Sequence, residues 1–147
     1  MQRLKSICMK KIKVLIDSDI ILDCALRREH GKSAQDLISM CDKKKILGYV
    51  TPIIISNTHY IIKKYYDDKT AREFIKNILE ILSVLTVTEH TIKKALTSDF
   101  VDYEDSIQNE AAIDNGMDYI ITRNLNDYKK SKLKVLTAKN IFEHYNL

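Results

Sequence analysis

Apolar positions fall into two patterns along this chain. Short unbroken runs, such as Val14–Leu15–Ile16 and Tyr119–Ile120–Ile121, stop abruptly at polar residues and predict buried strands. Longer stretches repeat at helical spacing. The runs predict strands over 12–17, 46–51, 84–87, 118–122 and 134–137. Between them, helices are predicted from Asp19 to about Arg28 (broken by Gly31), from Ser33 to Cys41, from Ile53 to Tyr66 and from Thr70 to Leu82. The stripe Ala71, Phe74, Ile75, Ile78 and Leu79 is the clearest of these. Ile53 to Tyr66 is rich in β-branched residues, yet its length and Pro52 in the first turn favour a helix. Further helices run from Glu89 to Thr97 behind Thr88 as N-cap, and from Tyr103 to Asn115 with Gly116 closing it. A short one is expected near 125–131, and a last one from Ala138 to Tyr145. Lys43, Lys44 and Lys45 follow the second helix, where cations suit the helix dipole.

Strands alternating with helices predict an α/β fold of three layers around a mainly parallel sheet. In such sheets ligands bind beyond the carboxyl ends of the strands. Acidic residues cluster at three such places: KVLIDSDIILD over 13–23, DFVDYED over 99–105 and YIITRNLND over 119–127. Carboxylates gathered at one sheet edge repel one another unless a cation neutralises them, which points to a metal-dependent enzyme.

Composition changes this picture little. The 147 residues suit one domain, with residues 1–8 ahead of Met9 read as a dispensable extension. A net charge of +4 permits nucleic-acid binding without demanding it. No apolar run approaches the ~18 residues that span a bilayer, so no membrane partner is expected. Arg3 and Lys5 precede no apolar core of the signal-peptide kind. Cys8, Cys24 and Cys41 lack metal or redox spacing and read as reduced thiols of a cytoplasmic protein.

Each cluster also has a purely structural reading. Ser18 or Asp19 can cap a helix, leaving Asp17 to line a loop, and Asp23, one turn on, reads as a surface acid or a support for the others. Asp102 can cap the helix that begins at Tyr103, with Asp105 three residues later. That role uses two acids, whereas Asp99, Asp102, Glu104 and Asp105 supply four. Thr122 or Asn124 can cap the segment that holds Asp127. The lysine pairs Lys63–Lys64, Lys93–Lys94 and Lys129–Lys130 read as solvated faces, and His59 as a packed residue. Phosphate-loop, dinucleotide, zincin and nucleophile-elbow motifs are missing.

The three clusters, in this order, resemble the PIN-domain family, a small α/β nuclease fold that includes VapC-like toxin ribonucleases. The likeness spans roughly Ile12 to Thr137. KVLIDSDIILD resembles the opening strand, whose terminal acid is Asp17 here. DYEDSIQNEAA resembles the motif in which an acid opens a helix of small residues, matched by Asp105 with Asp102 beside it. YIITRNLNDY resembles the closing Thr-Arg-Asn/Asp motif. The resemblance implies strand order 3-2-1-4-5 and hydrolysis of RNA phosphodiesters with Mg²⁺ or Mn²⁺. It implies Asp17, Asp105 and Asp127 as catalytic and metal-holding residues. It implies Asn57 as a weaker ligand, with Asp19, Asp102, Thr122 and Asn124 supporting the set. A small antitoxin protein and a homodimer are the implied protein partners. The chain departs from the pattern twice. PIIISNTHYII offers Asn57 where active members commonly carry Glu, and Asn124 stands where an acid is frequent, with Asp127 one turn later.

Two alternatives stay open. Loss of charge at Asn57 suits a PIN-like module that binds RNA or protein without cutting. Asp17-Ser18-Asp19 also has the DxD spacing of haloacid-dehalogenase-like phosphatases, although no lysine can be placed for that chemistry.

Overall fold

The computed structural model describes residues 10–145, so the expectations for residues 1–8 and Cys8 lie outside the described residues. Five strands form: β1 (Lys13–Ile16), β2 (Leu47–Val50), β3 (Ser83–Val84), β4 (Tyr119–Ile121) and β5 (Lys134–Leu136). They make one sheet in the order β3-β2-β1-β4-β5, every pair parallel. β1 is central, and Val14, Leu15 and Ile16 are fully buried. A strand covered on both faces reads as a continuous apolar run, which is why its pattern shows no alternation.

The helices are α1 (Ser18–Ala25), α2 (Gly31–Asp42), α3 (Pro52–Tyr65), α4 (Asp68–Ile78), α5 (Glu89–Leu96), α6 (Tyr103–Asp114) and α7 (Ala138–Tyr145). α1 packs on α2 and α3, α2 packs on α7, and α5 packs on α6. Right-handed crossovers put the α1–α2 and α5–α6 pairs on opposite faces, giving the expected three layers. Caps set the boundaries. The Thr51 side chain accepts from the Ile54 N–H at 3.1 Å, Asp67 from Thr70 at 2.7 Å and Asp102 from Asp105 at 3.0 Å. Thr88 and Thr91 close a reciprocal box at the start of α5.

Local departures from the expected elements have physical causes. Gly31 opens α2 instead of merely ending α1, and a Cβ there would stand 3.0 Å from the Asp23 carbonyl oxygen. The break comes earlier, at Leu26–Arg27, where Arg27 has a φ of 50°. α4 begins at Asp68, behind its Asp67 cap, and ends at Ile78; a turn then carries Leu82 into the core. Strand 84–87 shrinks to the exposed edge pair Ser83–Val84. The helix near 125–131 is a single 3₁₀ turn, Leu125–Tyr128. Gly116 takes a φ of 70° just past α6, as a helix-ending glycine should.

Candidate active site

The parallel register joins two of the three acidic clusters. Ile16 lies opposite Ile121, and the ladder continues one step further. The Asp17 N–H donates to the Ile121 carbonyl at 2.9 Å, and the Thr122 N–H donates to Leu136 at 3.0 Å. Asp17 and Thr122 therefore stand side by side at the carboxyl edge. One Asp17 oxygen accepts from the Ser18 N–H at 2.7 Å, the other from the Thr122 hydroxyl at 3.0 Å. Burial, followed by the negative charge of Asp19, pushes the Asp17 pKa up to about 6 despite these bonds.

The third cluster arrives through α6. Asp102 caps that helix, as one structural reading expects, and leaves Asp105 in its first turn. Burial and then the charges of Asp17, Asp102, Asp127 and Glu104 raise the Asp105 pKa to about 7. Tyr128 lies between Asp17 and Asp105, 1% exposed, with its hydroxyl donating to Asp105 at 3.4 Å. Burial and both carboxylates push its pKa up, so the phenol stays a donor. Asp127 is exposed one residue earlier and lines a cleft of about 190 Å³ together with Asp102, Asp105 and Asn126.

The supporting residues form a connected polar chain. Asp19 accepts from the Thr122 hydroxyl at 3.2 Å and from the Arg123 N–H at 3.0 Å. That oxygen is held at the strand–loop junction and the other is shielded from solvent, which disfavours Asp19 as the acid/base of a DxD phosphatase. Of the two readings of Asp23, surface acid or support for the others, burial rules out the first: it is fully buried. The Arg123 guanidinium meets it at 3.1 Å and Arg28 at 3.8 Å. α1 packs this side of Asp23 against the loop after β4, and a charge buried there needs its cations. Asn124 donates its backbone N–H to the Thr122 hydroxyl at 3.2 Å, and no side-chain cap bond forms at its end of the 3₁₀ turn. The Asn57 amide donates to the Ser18 hydroxyl at 3.4 Å, which places it beside the start of α1. His59 pairs with Asp68 at 3.0 Å and belongs to the α3–α4 hairpin.

Tyr128 and Arg123 are the contributors that sequence reasoning missed. Both stand inside the YIITRNLNDY motif, but nothing in its pattern tells a buried phenol or a buried ion pair from loop residues.

Among the described residues, none of Asp17, Asp19, Asp105 and Asp127 forms a direct ion pair with a basic side chain. One Asp19 oxygen is shielded from solvent and has no partner. Also among the described residues, no three His, Cys, Asp or Glu side chains assemble into a metal cage. Two facing carboxylates whose pKa values are raised, with no cation beside them, fit a hard ion that keeps most of its waters. Mg²⁺ binds in this way, through one or two carboxylates.

A sequence model of the PIN domain matches residues 13–126. No curated protein matches the sequence. Several solved structures share the fold. VapBC2 from Rickettsia felis, bound to a DNA fragment from its promoter, aligns with a TM-score of 0.67 at 12% identity over 84% of this chain and 97% of that one. A toxin–antitoxin complex from Klebsiella pneumoniae aligns at 0.66 and 18% identity, over 85% and 97%. Mycobacterium tuberculosis VapC20, a sarcin–ricin loop cleaving toxin, aligns at 0.60 and 11%, over 73% and 86%. Identities this low speak for the fold alone. With the family model spanning β1 to the 3₁₀ turn, and with the five strands in the order that the motifs imply, the chain belongs to the PIN-domain family.

Proposed function

We propose that this protein is a divalent-metal-dependent endoribonuclease, the toxin of a toxin–antitoxin pair, acting in the cytoplasm. The observation that carries the reading is the convergence of Asp17 and Asp105 around Tyr128 at the carboxyl edge, with raised pKa values and no cation partner. Asp17 and Asp105 would hold Mg²⁺ or Mn²⁺ there, and the ion would supply a water of lowered pKa and charge to polarise the scissile phosphoryl oxygen.

The protein's own residues orient and exclude. The Ser18 N–H and the Thr122 hydroxyl fix the Asp17 carboxylate, and the Tyr128 hydroxyl fixes Asp105. Asp127 stands at the open rim of the cleft, where it faces substrate or a water-mediated ion. Asn57 contributes an amide in place of a carboxylate and so leaves the site one negative charge poorer. The toxin assignment draws on the likeness to toxin–antitoxin complexes, and its partner is a small antitoxin protein.

The test is incubation of purified protein with end-labelled RNAs in Mn²⁺, in chelator, and with Asp105→Asn. Cleavage that needs the metal and is lost in the variant is the expected result. A wild type that binds RNA but leaves every substrate intact with either metal would favour the second reading, a non-cutting recognition module. Asn57 is the observation behind that alternative.

A further inference from the structure

A second cleft, of about 310 Å³, opens beside the acidic one. Its walls include Lys94, Ser98, Phe100, Asn109, Lys130 and Lys132. The two clefts share Asp99, Phe100 and Lys130, so they adjoin along one wall. The Phe100 ring stands edge-on to Tyr128 with centroids 6.0 Å apart, and the Tyr128 hydroxyl reaches Asp105. One aromatic contact therefore separates this cleft from the acidic pair.

The wall is mixed in charge, and two of its cations stand without partners. Lys94 bonds Glu110 at 3.1 Å and Asp114 at 3.0 Å, one cation against two acids, and Asp99 in the same wall is exposed with no ion pair among the described residues. Lys130 and Lys132 are exposed and have no ion-pair partner among the described residues. The Ser98 hydroxyl in the wall is shielded from solvent and unpartnered. A polyanion directed at an acidic pocket is repelled by it, and unpaired cations alongside offset that repulsion. Phe100, half-buried, offers a ring on which a base can stack.

We propose that this second cleft is the phosphate track of a single-stranded RNA whose scissile phosphate lies at Asp17 and Asp105. Lys130 and Lys132 each neutralise one phosphate, and Phe100 stacks a base between them and the acidic pair. The inference rests on the ribonuclease reading and adds the path of the substrate.

The test uses the full chain carrying Asp105→Asn, in chelator, so that nothing is cut. Binding of a fluorescent, unstructured RNA of about 12 nucleotides is followed by anisotropy as salt rises from about 50 to 200 mM. Added Lys130→Gln and Lys132→Gln should weaken binding and flatten the slope of log affinity against log salt by about 1.4, the release expected of two single-strand phosphate contacts. Lys43→Gln with Lys45→Gln, an exposed pair elsewhere, should leave the slope unchanged. Equal slopes in both double variants would overturn the track, as would absence of measurable binding by the parent. Wild-type cleavage in Mn²⁺ then decides separately whether the ribonuclease reading stands.

Discussion

Replacing Asp17 by Asn should make this protein more stable at pH 8 and inactive. The Asp17 carboxyl has a folded pKa of about 6 against an ordinary 3.8, so the fold holds its proton more tightly than the unfolded chain does. Between those values the native state binds more protons, and stability falls as pH rises through the window. Above it the penalty is complete. A shift of about two units corresponds to about 3 kcal/mol, and relaxation around a site open on one side trims this to about 1–2 kcal/mol. Asn keeps an acceptor for the Ser18 N–H, and Thr122 can accept from the amide where it formerly donated, so the geometry survives. For a chain of this size the gain amounts to about 3–6 °C in Tm. The assay is thermal or urea unfolding in chelator at pH 8 and pH 4. The difference should be full at pH 8 and nearly closed at pH 4, where the wild-type carboxyl is protonated. Adding Mn²⁺ at pH 8 should then stabilise the wild type, by about 2.7 kcal/mol at a hundred times Kd, and leave the variant nearly unmoved. A variant equal to or weaker than wild type at pH 8, or a difference indifferent to pH, refutes the argument that burial and repulsion strain this carboxylate.

Two other substitutions probe the supports. Arg123→Met strands the fully buried Asp23 with only Arg28 at 3.8 Å, and should cost about 3 kcal/mol in urea unfolding; an unchanged midpoint would show that the pair holds nothing. Asn57→Asp restores a negative charge beside Ser18 and should tighten Mn²⁺ about tenfold by calorimetry, or about 1.4 kcal/mol; unaltered affinity would remove Asn57 from the metal's surroundings.

Residue patterning is enough to place most of the elements and the acids at their ends. A run of Val14, Leu15 and Ile16 suits a strand covered on both faces, and several helix starts carry a side chain that takes an orphan N–H, as Thr51, Thr88 and Asp102 do. The positions of the candidates Asp17, Asp105 and Thr122 were legible because strand ends and first helical turns are local features. The tertiary structure alone decided which of these groups meet. Parallel pairing of β1 with β4 sets Thr122 against Asp17, and no local pattern encodes that register. Packing of α1 against the loop after β4 decided between the two readings of Asp23, burying it and giving it Arg123. Tyr128 became the phenol between two carboxylates because one 3₁₀ turn faces inward there. Periodicity reports which face of an element is buried; burial of a polar side chain, and hence its pKa and partner, depends on what packs across from it.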